Sequence, residues 1–247
     1  MTVYTTPGPG IPVVLVAQLG SGGDVWNPLI AHLEDVATIA YDRPGTGINK
    51  PRPSPNPPLP PSVFARELYC LLDQLEIAGP VVLVGHSFGG NIVKMFASDY
   101  PDRVAGIVFA DGSLARQRLW FAPGPLIDGD LPQSTEVDTI AGEVELLTAS
   151  LPRVPVAVLT SRAVNWQQKL PHPAIDKLWL AHQRILAREL NAPLVIAPRA
   201  SHQLQYDVPD LVAYLIRAVR ASALDGGIVD IDGSAAFELS GELAGAL

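Results

Sequence analysis

Short, nearly unbroken apolar runs, each closed by turn-forming residues and separated by stretches of helical spacing, constrain this chain more than any other feature. The runs are Ile11 to Ala17, Val36 to Tyr41, Val81 to Val84, Val104 to Ala110, Val154 to Leu159 and Leu194 to Ala197. Strands read this way when helices cover both faces of their sheet. Between the runs, apolar residues recur with helical spacing over Val25 to Leu33, Ile92 to Tyr100, Val137 to Ala149, Ala174 to Leu190 and Leu211 to Ala223. A further helix carries Leu68, Leu71, Leu72 and Leu75 on one face, with Ser62 as its expected cap and Gly79-Pro80 as its stop. This alternation predicts the α/β class, a mostly parallel sheet with helices on both faces. At 247 residues the chain suits one such domain.

Three segments break the rhythm. Pro51 to Pro61 is too rich in proline for helix or central strand and is expected as an exposed loop. Residues 113–134, with Trp120, Phe121 and the Ala122-Pro123-Gly124-Pro125 turn, are expected as a small lid inserted in a domain spanning 1–223. Residues 224–247 are a C-terminal extension, either a small hairpin or a flexible tail, and a candidate dimer contact. Composition excludes other classes: 48% hydrophobic residues and 17% charged ones suit a globular chain. A net charge of −8 without a basic cluster argues against nucleic acid as a partner. Cys70 is the single cysteine, so no intrachain disulfide forms, and its apolar neighbours place it in the core. The polar start, Met1 to Gly10, lacks the apolar stretch of a signal peptide, and no run reaches membrane-spanning length. A soluble, cytoplasmic protein without membrane contact is the expectation.

The chemistry concentrates at Gly85-His86-Ser87-Phe88-Gly89-Gly90. A Gly-x-Ser-x-Gly match alone is weak, since roughly one unrelated chain of this length in ten contains it. Here, however, it follows a strand directly and precedes a helix, the setting in which a serine is lifted onto a sharp turn as a nucleophile. Gly85 and Gly89 leave room for that turn, and Gly90 serves helix packing. At the helix N-terminus the Phe88 N–H points where a tetrahedral oxyanion would form. A serine hydroxyl needs a base. His202, beyond the last run and late in the chain, is the candidate, set against the bland reading of a surface-loop histidine. His172 and His182 fall in or near a helix, while His32 and His86 read as structural.

With these motifs the chain resembles the α/β-hydrolase-fold superfamily along most of Ile11 to Ala223. The likeness rests on Val13 to Gly20 with Trp26 following, on Tyr41-Asp42-Arg43-Pro44-Gly45-Thr46-Gly47, on Gly85 to Gly90, on Tyr100-Pro101-Asp102-Arg103-Val104 and on Ser201-His202. It implies a second oxyanion donor at the Leu19 N–H, opposite Phe88. Where relatives commonly carry His-Gly, this chain has Ala17-Gln18, and Gln18 either adds a polar contact to substrate or packs. Relatives often place an acid after the strand equivalent to Val154 to Leu159, but Thr160-Ser161-Arg162-Ala163-Val164-Asn165 holds no carboxylate. Asp111, at the end of Val104 to Ala110, is then the leading acid, against a turn-capping role before Gly112. Asp176, Asp138 and Glu136 are alternatives, as is a neutral orienter such as Asn165.

The expected activity is serine hydrolysis of a small-molecule ester, lactone or thioester by Ser87, His202 and Asp111. The alternative is a non-hydrolytic binder, cyclase or acyltransferase on the same pocket. Trp120 and Phe121, with Leu119, Leu126 and Ile127, could line an apolar pocket, and Arg116 and Arg118 could meet an anion; a lid packed on the body is the bland reading. No metal-ligand spacing or phosphate-binding loop is present, so neither metal nor cofactor is expected.

Overall fold

The computed structural model describes residues 1–53, 57–112, 126–128, 134–162 and 173–244. In chain order its elements are β1 (Val3–Thr6), β2 (Val13–Val16), α1 (Asn27–Ile30), β3 (Thr38–Tyr41), α2 (Pro61–Gln74), β4 (Val81–His86), α3 (Phe88–Asp99) and β5 (Val104–Ala110). There follow β6 (Leu126–Asp128), β7 (Thr135–Val137), α4 (Thr139–Thr148), β8 (Val156–Ser161), α5 (Pro173–Glu189), β9 (Leu194–Ala197), α6 (Leu204–Asp207), α7 (Pro209–Asp225), α8 (Gly233–Glu238) and β10 (Glu242–Leu243). An eight-stranded sheet runs β1-β3-β2-β4-β5-β8-β9-β10. All pairings inside it are parallel except at the two edges, where β1 joins β3 and β10 joins β9 antiparallel.

The expected α/β architecture is present, and period-two alternation explains its two cores. Val14, Val16, Leu83, Phe109 and Val158 pack with Phe64, Leu68 and Leu72 of α2 and Ile92 and Phe96 of α3. Their neighbours Val13, Leu15, Val84, Val108 and Leu159 face the other way, onto Leu29 of α1 and Leu211, Leu215 and Val219 of α7. Burial on both faces is why each strand reads as a continuous apolar run. The strand order reverses at β2, between β3 and β4. Open parallel sheets bind ligands outside the carboxyl ends of strands at such a switch point.

Several expectations need correction. The N-terminus contributes an edge strand: Val3 to Thr6 pairs with β3. The helix expected over Val25 to Leu33 shrinks to a 3-10 turn at Gly23–Trp26 and one turn of α1. Beyond it, i to i+3 bonds such as His32 N–H to the Leu29 carbonyl carry the chain. Ser62 does not cap α2; Pro60 holds that position, and the Ser62 hydroxyl donates to Glu145 Oε1 at 2.5 Å. Cys70 is exposed, on the side of α2 away from Leu68, Leu71 and Leu72. Val137 ends β7, and α4 begins after Asp138, whose carboxylate accepts the N–H groups of Ile140 and Ala141. The hairpin of β6 and β7 therefore runs past the expected end of the insertion.

The tail is neither hairpin nor loose extension. Val229, Ile231 and Ala236 join the core beside α7, and β10 extends the sheet along β9. Among the described residues, no helix is long and apolar enough to cross a membrane.

Candidate active site

One residue separates β4 from α3. Ser87 takes φ 51° and ψ −123°, a strained conformation for a residue with a side chain. The surroundings hold it there: its N–H donates to the Ala110 carbonyl at 3.4 Å and its own carbonyl accepts from Gly90 N–H at 2.8 Å. The glycines are sterically required. A Cβ on Gly89 would lie 2.1 Å from the Val16 carbonyl oxygen, and one on Gly85 would lie 2.8 Å from Gly90 Cα. Their absence seats the first turn of α3 against the end of β2, where Ala17, Gln18 and Leu19 follow. Ser87 is partly exposed there, while Phe88 is buried.

Asp111 stands at the carboxyl end of β5, also at positive φ, 47°, and wholly buried. Its Oδ1 accepts from Thr160 Oγ1 at 2.8 Å, Ser161 N–H at 3.0 Å and Trp179 Nε1 at 2.7 Å. Its Oδ2 accepts from Ser161 Oγ at 2.6 Å and lies 3.0 Å from His202 Nδ1. Burial alone would raise this carboxyl, but the hydrogen bond and charge of His202, with the Ser161 and Trp179 donors, hold its pKa below the ordinary range. Thr160 and Ser161 occupy the place where relatives often carry the acid. Since β5 and β8 are neighbours, their hydroxyls serve a carboxylate supplied by the next strand. The Trp179 ring also meets His202 edge-on, with centroids 5.6 Å apart. A proton on Nδ1, shared with Asp111, leaves Nε2 as the basic nitrogen.

The loop bearing His202 is secured from two sides. Asp207 Oδ2 accepts from the Ser201 N–H at 2.7 Å and hydroxyl at 2.6 Å. His86, wholly buried beside Ser87, places Nε2 2.7 Å from the His202 carbonyl and Nδ1 2.7 Å from the Gln18 amide. Burial, then the charge of His202, pushes its pKa down to about 3. The ring is therefore neutral near pH 7, and its one N–H goes to one of the two oxygens it faces, the His202 carbonyl or Gln18 Oε1. Gln18 reaches on to Gln203, and Gln203 to Gln205. The Gln18 side chain is thus engaged by protein groups on both sides.

Beneath the loop that follows β2 lies a buried ion pair. Arg43 grips Asp128 of β6 through Nε at 2.6 Å and Nη2 at 2.7 Å. It also donates to the carbonyls of Ala17 at 3.0 Å and Gln18 at 2.7 Å. Asp128 Oδ1 accepts from Gly20 N–H at 2.8 Å. Burial opposes the guanidinium charge, yet the charge and hydrogen bonds of Asp128 prevail and raise its pKa.

The sheet thus gathers Leu19, Ser87, Phe88, Asp111 and His202 at the carboxyl ends of β2, β4, β5 and β9. Trp120 and Phe121 lie outside the described residues, as do Arg116, Arg118, Leu119, Asn165 and His172, and Ile127 is exposed. Of the other acid candidates, Asp138 caps α4, Glu136 sits in β7 and Asp176 in the first turn of α5. His32 pairs with Asp210, and His182 lies on α5. Among the described residues, no group of histidine, cysteine and carboxylate side chains could hold a metal ion. Sequence reasoning missed Trp179, Arg43 and Asp128 as parts of this site. Trp179 carries no local signal on an otherwise core-facing helix, whereas Arg43 lies inside a matching motif and had only its partner missing.

Comparison with known proteins agrees with this fold. A family profile described as alpha/beta hydrolase fold matches residues 11–150, more than half of the chain. Lipase LipV of Mycobacterium tuberculosis is 26% identical over 235 residues, covering 87% of this chain and 77% of that protein. The abhydrolase domain-containing protein abhd-5.2 of Caenorhabditis elegans is 32% identical over 102 residues, 40% of this chain but 23% of that protein. A thermophilic esterase from Thermogutta terrifontis superposes with a TM-score of 0.65 at 20% identity, covering 90% of this chain and 93% of the other.

Proposed function

We propose, on the premise that the chain belongs to the alpha/beta hydrolase fold family, that it is a serine hydrolase of small-molecule carboxylic esters, lactones or thioesters. Ser87 Oγ attacks the acyl carbon while His202 Nε2 takes its proton. The oxyanion so formed is held by the N–H groups of Leu19 and Phe88. As the tetrahedral centre collapses, His202 returns the proton to the departing alcohol or thiol, leaving an acyl-Ser87 ester. Water, deprotonated by the same nitrogen, then releases the acid and restores the hydroxyl. Asp111 keeps the proton of His202 on Nδ1 and stabilises the imidazolium. None of these steps draws on a metal or cofactor.

One observation carries this reading: the buried Asp111–His202 pair is tied, through the His202 carbonyl, to His86, the residue next to Ser87. Asp111, His202 and the residue that precedes Ser87 are thereby linked across three strand ends. The lipase and esterase relatives favour an ester as the acyl donor. The test is Ser87→Ala on a panel of activated esters, with a fluorophosphonate as covalent probe. We expect kcat to fall by ~10⁴-fold or more and labelling to vanish. An Ala variant hydrolysing the panel at the wild-type rate rules the proposal out.

A further inference from the structure

The ion pair of Arg43 and Asp128 spends its hydrogen bonds on the loop that supplies the proposed second oxyanion donor. The Gln18 carbonyl and the Leu19 N–H belong to one planar trans peptide, so they point in opposite directions. Arg43 Nη2 holds that carbonyl at 2.7 Å, which turns the Leu19 N–H the other way. A cation on the carbonyl also polarises the peptide and strengthens its N–H as a donor. On the neighbouring peptide, Asp128 Oδ1 takes the Gly20 N–H at 2.8 Å, whereas the Leu19 N–H meets no acceptor among the described residues. Arg43 Cζ also lies 6.0 Å from the centre of the Phe88 ring, so the guanidinium that holds the Gln18 peptide also neighbours the Phe88 side chain.

From this geometry we infer that Arg43 and Asp128 are positioning residues for the oxyanion hole, Arg43 by aiming the Gln18–Leu19 peptide and Asp128 by holding Arg43 and Gly20. Asp128 belongs to the inserted hairpin and Arg43 follows β3, so the hole is complete only with the hairpin seated on the body. The inference rests on the serine-hydrolase reading above. It also accounts for a charge pair in an apolar surrounding, where two well-packed apolar side chains would stabilise the fold as well.

The test is kinetic, on the full chain, with an activated oxoester and its thionoester counterpart. Replacing both residues together, Arg43→Met with Asp128→Leu, leaves neither charge buried alone and frees the Gln18 peptide. Expected are a fall in kcat of about 10- to 100-fold, KM within about twofold, and a reduced preference for the oxoester, whose oxygen fits the hole better than sulfur. Asp128→Asn, of nearly the same shape, moves kcat and the oxo/thiono ratio in the same direction by a smaller factor, and gives the result if the double variant does not fold. Wild-type kcat and ratio in these variants overturn the inference. Activity lost only in proportion to folded protein, with the ratio unchanged, overturns it too. Ser87→Ala measured beside them separates the failures: an active Ser87→Ala ends the serine reading itself, whereas an inactive one beside unaffected pair variants ends this inference alone.

Discussion

Two buried carboxylates lie toward the same end of the sheet, and they are built for different purposes. Asp111, just past the end of core strand β5, meets a histidine, whose ring can carry a proton to and from a reacting group. Asp128, on the inserted hairpin, meets an arginine, whose charge does not change. Around Asp111 the other donors are neutral, from Thr160, Ser161 and Trp179. They hold a charge without competing for the proton on His202. Around Asp128 the remaining bond goes to a backbone N–H, and its partner's spare donors go to backbone carbonyls. The first pair is suited to moving a proton and the second to fixing a peptide. Burial alone would not distinguish them; the partner does.

The sharpest way to break this contrast is Asp111→Asn. We expect kcat on an activated ester to fall by ~10⁴-fold, far beyond Asp128→Asn, because the amide favours the wrong tautomer of His202. Equal losses in the two variants would erase the distinction. Stability comes next: Arg43→Met alone leaves Asp128 buried without its counter-charge and should cost about 3–5 kcal/mol in urea unfolding. A loss below ~1 kcal/mol would mean that the pair behaves as a surface bridge. Trp179→Phe removes one donor from Asp111 and should destabilise the fold by roughly 1.5–3 kcal/mol, while raising the carboxyl pKa toward its ordinary value. Unchanged acid unfolding in that variant would contradict the role given to the indole.

The smallest effect is a pH slope. Asp111, depressed in the folded state, contributes stability that is complete above about pH 4 and is lost as pH falls through its folded value. His86, pushed down to about 3, takes up a proton on unfolding, so stability already declines as pH drops below about 6.5. His86→Asn should flatten the dependence of unfolding free energy between pH 6.5 and 4, leaving the lower window in place. An unaltered slope would place the titrating group elsewhere.

How much of this was legible beforehand follows from how far each cause lies along the chain. The central strands are readable because a strand covered on both faces has no polar side to show, as in Val13 to Val16 and Val81 to Val84. The edge strands at Val3–Thr6 and Glu242–Leu243 are short and half-covered, and their partners lie far away in sequence. Ser62 and Cys70 were misplaced for a similar reason, since local propensity could not foresee Glu145 or the direction of the α2 face. Ser87 was readable because strand, turn and helix are contiguous. The lack of a carboxylate after Leu159 is visible in the sequence, but the use of Thr160 and Ser161 is not, because it depends on β5 lying beside β8. The pairing of Arg43 with Asp128 spans 85 residues and left no trace in either local pattern.

The position of Asp111 on β5 also has an engineering consequence. In this reading the segment after Ser161 supplies no member of the proton chain, unlike the equivalent segment in relatives that carry their acid there. Nucleophile and proposed acid then lie on one contiguous stretch, residues 81–111, that joins neighbouring strands β4 and β5. A chimaera built around that stretch carries both groups at once.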